Sequence, residues 1–224
     1  MARKTLFITG ASTGIGAATA RAAVAAGWNV SLMARSAGKL TALESELGDQ
    51  ALALHGDATE LALQEEAVAR TVERFGRLDA AFANAGVGLD TPGTEAGDPE
   101  EWRRMIDLNI MALLYTARAS LPELRKTKGH LLMTGSAAGR RHIPGSIYSA
   151  SKWFVQGYAG NMSEEMRKWG GRCTVITPGM VDTPFFDEPK PDKIKPEDIA
   201  NAVIFALSQN PRAEVREVHV MPVA

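Results

Sequence analysis

Cysteine is almost missing from this chain. A single thiol, Cys173, in 224 residues excludes a disulfide framework and a site built from several thiolates, and it suits a reducing compartment, so a cytoplasmic location is expected. Histidine is nearly as scarce: His55, His130, His142 and His219 are scattered, with no H-E-x-x-H or paired spacing, and no metal site is expected. Charge of one sign is lacking too. The 25 Lys and Arg face 26 Asp and Glu for a formal net of -1, which offers nothing to nucleic acid or to an anionic membrane. No apolar run approaches the roughly 20 residues that cross a bilayer. The run after Arg3 and Lys4 covers only residues 6–8, too short to read as a signal peptide.

What is there is ordinary globular composition, 45% hydrophobic and 23% charged, enough for one substantial core and one domain spanning 1–224. Apolar segments rich in β-branched or aromatic residues recur at 5–9, 29–33, 51–55, 78–83, 130–134, 174–177 and 215–220. Between them lie stretches of helical spacing, such as Leu61, Val68, Val72 and Phe75, and helices are expected over 102–119 and 146–169. Strands joined through helices cannot be hairpins. The economical arrangement is a doubly wound, Rossmann-type α/β domain: a parallel sheet of about seven strands with helices on both faces, its ligands at the carboxyl ends of the strands.

Directly after the first strand runs Thr9-Gly10-Ala11-Ser12-Thr13-Gly14-Ile15-Gly16, leading into an alanine-rich helix. A strand, a tight turn and a helix N-terminus aim free N–H groups and a positive dipole end at one point, which suits a pyrophosphate. The spacing G-x-x-x-G-x-G, with no following Lys, disfavours a P-loop and ATP chemistry. The same glycines would also serve a bare strand-to-helix turn. The second strand ends at Arg35 with no acid, favouring the 2′-phosphate of NADP(H) over the free hydroxyl of NAD(H). Asp57 and Ala58 follow the third strand, where Asp57 could take an adenine amino group or only close a turn. Asn84-Ala85-Gly86 ends the fourth strand with small residues that let a cofactor lie on the backbone.

Ser136 ends the fifth strand, and Tyr148 and Lys152 stand four apart, hence on one helix face. Of the three tyrosines, only Tyr148 has a Lys at that spacing. An adjacent ammonium and a cationic nicotinamide ring would both favour phenolate and make Tyr148 a usable base near neutral pH; core packing with a snorkelling lysine is the plainer alternative.

These motifs, in this order, make the chain resemble the short-chain dehydrogenase/reductase family over nearly its whole length. Residues 9–16 are similar to that family's cofactor loop. Ala83 to Gly86 resemble its N-N-A-G motif with Ala in first place, Asn109, Ser136, Tyr148 and Lys152 its catalytic tetrad, and Pro178-Gly179-Met180-Val181-Asp182-Thr183 its P-G-x-x-x-T segment. The resemblance implies an NADP(H)-dependent oxidoreductase interconverting alcohols and carbonyl compounds. Tyr148 would exchange the proton, Ser136 bond the same oxygen, Lys152 hold the nicotinamide ribose and Asn109 anchor a relay water, with Thr183 and the Val181 backbone orienting the carboxamide. It also implies a homodimer or homotetramer.

Substrate contacts are expected from His142 and Ile143 in the loop after Ser136, and from Met180, Phe185 and Phe186 in a short cover at about 180–195. Its brevity predicts an open pocket of relaxed selectivity. A catalytically idle NADP(H)-binding sensor or scaffold is the competing reading.

Overall fold

In a computed structural model describing residues 2–91 and 93–223, the strands are β1 (Thr5–Thr9), β2 (Asn29–Ala34), β3 (Ala51–His55), β4 (Ala80–Ala83), β5 (His130–Thr134), β6 (Arg172–Pro178) and β7 (Glu217–Val220). They form one sheet in the order β3-β2-β1-β4-β5-β6-β7, parallel throughout. The helices are α1 (Gly14–Ala25), α2 (Ala37–Leu47), α3 (Leu61–Phe75), α4 (Pro99–Ile106), α5 (Ala112–Thr127), α6 (Ile147–Arg167) and α7 (Pro196–Ser208). The chain leaves β1 in one direction and returns beyond it at β4 in the other, opening a crevice at the carboxyl ends of β1 and β4, where such folds bind ligands.

Alternation along each strand makes two cores. Leu6, Ile8, Val30 and Leu32 join Ala20 and Val203 on one face of the sheet. Phe7, Met33, Leu131 and Met133 join Val68, Ala117, Val155 and Met162 on the other. Both faces are covered, which is why these strands read as continuous apolar runs in place of an apolar-polar alternation. Leu78 and Asp79, expected in the fourth strand, precede it: the Asp79 carboxylate accepts the Thr5 N–H at 2.9 Å, replacing the carbonyl that a longer strand would offer.

The helix expected over 102–119 is not one helix. Asp98 caps α4 through the Glu100 N–H, Pro99 fills its first position, and a π-helical turn, Asp107–Met111, separates α4 from α5. Such a turn inserts one residue and recurs at functional sites. Here it carries Asn109.

Candidate active site

The glycine loop needs glycine for measurable reasons. Gly10 and Gly14 take φ of +66° and +53°, and a Cβ on Gly16 would stand 2.3 Å from the Gly10 carbonyl oxygen. Asn84 braces the loop from the neighbouring strand, its Nδ2 donating to Thr9 O at 3.1 Å and its Oδ1 accepting from the Thr134 hydroxyl at 3.1 Å. The Thr9 hydroxyl accepts the Asn84 N–H in return. Asn84 is thus a structural tie at this crevice. Thr13 precedes α1 without a side-chain cap, and no acid lies in the first turn, so the positive end of the helix faces the crevice unneutralised.

The loop opens into one cleft of about 1070 Å³ that runs past Gly10, Ser12, Arg35, Asp57 and Asn84 to Ser136, Tyr148, Lys152 and Phe185. Thr13, Gly14, Ile15, Ala58, Ala85, Gly86, Pro178, Gly179, Val181 and Thr183 also line it, whereas Gly16 lies buried behind. At its outer end the Arg35 side chain is 74% exposed and 3.9 Å from Asp57. The Asp57 carboxylate also accepts from the Thr59 N–H and hydroxyl at 2.9 Å each. Ser36, beside Arg35, leaves its hydroxyl uncommitted at the start of α2.

At the other end, α6 sets Tyr148 and Lys152 one turn apart. Ser146 caps this helix through the Ser149 N–H. The Ser149 hydroxyl ties it to Ala138 O and Arg141 O at 2.8 and 2.9 Å. A Cβ on Gly139 would meet the Lys152 carbonyl oxygen at 2.6 Å, so a glycine there lets the turn after Ser136 seat directly on α6. The Ser136 hydroxyl accepts the Ala138 N–H at 3.1 Å and draws the Tyr148 phenol pKa downward.

Burial dominates the electrostatics of this pair. Burial pushes the Tyr148 phenol above its ordinary value, and Ser136 pulls it only partly back. Lys152 does not make it acidic. Its amine is desolvated and falls from 10.5 to about 8; Nζ donates to Thr134 O at 2.9 Å and sits 5.7 Å from the centre of the Tyr148 ring. An ammonium has three donors, so two N–H groups remain for a bound molecule.

The Asn109 side chain belongs to the loop beside it, Oδ1 accepting the Val87 N–H at 2.8 Å and Nδ2 donating to Val87 O and Ser151 Oγ at 2.9 and 3.3 Å. Gly86 lies between Asn109 and Lys152: a Cβ there would be 3.1 Å from Asn109 Oδ1 and 3.7 Å from Lys152 Nζ. Of the expected substrate contacts, Ile143, Met180, Phe185 and Phe186 line the cleft. His142 does not; its ring stacks on Trp153 at 5.4 Å, on the outer side of α6. Phe185 lies 5.8 Å from the Tyr148 ring and fills the space a side chain at Gly88 would need. The cover is buckled at its base by Asp182, which accepts from Lys190 N and Lys195 Nζ, both at 2.8 Å. The bracing roles of Asp182, Thr9 and Gly139 were not legible in the sequence, since each acts through a contact with another part of the chain.

Residues 4–194 match the short chain dehydrogenase family, and the chain belongs to it. An uncharacterized oxidoreductase of Staphylococcus saprophyticus is 38% identical over 98% of this chain and 97% of its own length. Among solved structures, an alcohol dehydrogenase from the archaeon Thermococcus sibiricus, complexed with 5-hydroxy-NADP, superposes with a TM-score of 0.91 at 33% identity, covering 99% of this chain and 97% of that one. Serine dehydrogenase from Escherichia coli gives 0.89 at 29% identity, with 98% of each chain covered. The protein is an oxidoreductase of this family.

Proposed function

We propose that this protein reduces a ketone or aldehyde to an alcohol, and runs the reverse reaction, with NADP(H) and Tyr148 as the proton-transfer group. The observation that carries the reading is the Ser136, Tyr148 and Lys152 cluster: a buried phenol kept protonated, a hydroxyl beside it, and a buried amine with donors to spare, all opening on one cleft.

The crevice fits a dinucleotide. Gly10 and Gly16 let the loop pack tightly on its own backbone and Gly14 passes close to the Thr183 side chain, and the uncapped start of α1 would receive the pyrophosphate. Arg35 and the free Ser36 hydroxyl would take a 2′-phosphate, with Asp57 and Ala58 beside the adenine. Asn84, Ala85 and Gly86 would support the middle of the cofactor, Lys152 its nicotinamide ribose, and Pro178, Gly179, Val181 and Thr183 its carboxamide end. The 5-hydroxy-NADP complex of the archaeal alcohol dehydrogenase supports this choice of coenzyme. When bound, the cofactor supplies or accepts the hydride.

The protein's own groups manage the oxygen. Ser136 would donate to the carbonyl oxygen, and the Tyr148 hydroxyl would give it a proton as negative charge grows there. A phenol held above its usual value is loaded for this step at neutral pH. Positioned acid catalysis of this kind is worth roughly 10² to 10⁴ in rate. Asn109 would hold the π-helical turn against the Val87 loop, placing its backbone beside the proton path behind Lys152.

A panel of aldehydes and ketones with NADPH tests the reading, together with the Tyr148→Phe variant. Turnover is expected in the wild type, with kcat at least about 100-fold lower in the variant and NADPH affinity within a fewfold. Tight cofactor binding without turnover on any compound would favour the idle sensor.

A further inference from the structure

We infer that the substrate carries a carboxylate at the far end of an apolar body, and that Arg141 is the residue that reads it. This rests on the reductase reading above and adds the substrate class.

Beyond Tyr148 and Lys152, the ionisable groups on the cleft wall are Arg35, Asp57, Arg141 and Lys193. Arg35 and Asp57 follow β2 and β3. Arg141 comes after β5, which lies three strand spacings or roughly 14 Å across the sheet from β2. One guanidinium accounts for a phosphate of the cofactor. The other stands at the end where Tyr148 acts.

Arg141 differs from its neighbour in the chain. Arg140 pairs with Glu217, a carboxylate also held by Gln156 and Thr177. The Arg141 guanidinium has no ion pair or side-chain hydrogen bond among the described residues, whereas Lys193 is engaged. Its backbone is nonetheless fixed, since Arg141 O accepts from the Ser149 hydroxyl and from Trp153 Nε1 at 3.4 Å, on the turns of α6 that flank Tyr148 and Lys152. No acid lines that end of the cleft among the described residues. Leu89, Ile143, Met180, Phe185 and Phe186 give the wall there a large apolar share. Phe185 borders the space beside Tyr148, its ring 5.8 Å from the phenol ring. An apolar compound with a neutral tail would leave Arg141 unused; a carboxylate would meet a charge-assisted partner and no repulsion.

The test compares 4-acetylbenzoate and 6-oxoheptanoate with their primary amides. The expected result in the wild type is a kcat/KM for each acid roughly tenfold above its amide, the size of one charge-assisted hydrogen bond discounted for exposure, with the difference in KM. In Arg141→Gln the acid-to-amide ratio collapses to within about twofold, Arg141→Lys restores part of it, and raising salt from 0.05 to 0.5 M erodes the wild-type preference. Calorimetric titration of 4-acetylbenzoate into the NADP⁺-loaded protein supplies a readout independent of turnover, and binding is expected to weaken at least fivefold in Arg141→Gln. A wild-type ratio of one or less for both pairs, or an undiminished ratio in Arg141→Gln, overturns the assignment while amide turnover leaves the reductase reading standing. Binding that depends on Arg141, with no turnover of either acid or amide, supports the carboxylate site and overturns the reductase reading for this substrate class.

Discussion

Replacing Lys152 with methionine is expected to stabilise the cofactor-free protein at neutral pH while removing its activity. Lys152 is 5% exposed, and burial lowers its amine from 10.5 to about 8. At about 1.4 kcal/mol per pH unit, that displacement costs the folded state about 3 kcal/mol whenever the amine is protonated. The sign follows from proton counts. Between about pH 8 and 10.5 the unfolded chain holds the proton and the folded chain has lost it, so stability rises with pH across that window. Below pH 8 both states are protonated and the full penalty stands.

Methionine has similar length and no charge. It removes the penalty of about 3 kcal/mol and leaves Thr134 O without its donor, a loss of about 1 kcal/mol. The net gain is about 2 kcal/mol at pH 7, or about 4 to 8 °C in Tm for a chain of this size. Calorimetric scans without cofactor at pH 7, 8, 9 and 10 check it, because every other titrating group is common to both proteins and cancels in the difference. The gap should be widest at pH 7 and close toward pH 10. A Lys152→Met protein less stable than wild type at pH 7, or a gap unchanged with pH, would refute the view that this amine is held uncomfortably for the sake of the reaction.

Two other outcomes follow from single side chains. Arg35→Ala is expected to cut the preference for NADPH over NADH roughly tenfold, the loss of one exposed charge-assisted contact, almost wholly in KM; steady-state kinetics with both coenzymes measure it, and an unchanged ratio would show that Arg35 does not meet the phosphate. His130 is buried and held neutral, its ring pushed down to about 3 by desolvation and by Arg172, so stability disappears as pH falls from about 6.5 toward 3, where only the unfolded chain takes up the proton. Urea midpoints at pH 7 and 4 should show His130→Gln losing about 3 kcal/mol less over that range than the wild type does; equal losses would place the acid sensitivity elsewhere.

Much of this architecture was legible because its signals are local. Seven apolar runs became seven strands, four of them starting where the run did, since a sheet covered on both faces demands unbroken apolar sequence. The glycine spacing announced a backbone crowded against itself, and the Tyr148–Lys152 interval announced a shared helix face. What stayed hidden depends on contacts between distant parts of the chain. Nothing near residue 109 announces the π-helical turn, which coincides with the pull of the Val87 backbone on the Asn109 amide. His142 sits beside Ile143 in sequence, yet stacking on Trp153 turns it away from the cleft.

The same division governs the charge state of the Tyr148–Lys152 pair. A spacing of four shows that an amine stands near a phenol, but the dielectric around the pair is set by β5, α6 and the loop of residues 180–195 together. Burial acts on both groups at once and against the charged form of each, lowering Lys152 and raising Tyr148. The pair therefore rests with its protons where a reductase needs them: a neutral phenol at the carbonyl oxygen, and an amine with two open donors whose charge regains partners only when the cleft is filled. On this view the cofactor-free site is electrostatically incomplete. Binding at the open donors of Lys152 should raise its amine back toward its ordinary value, so the stability offset measured against Lys152→Met ought to shrink when the cofactor is added.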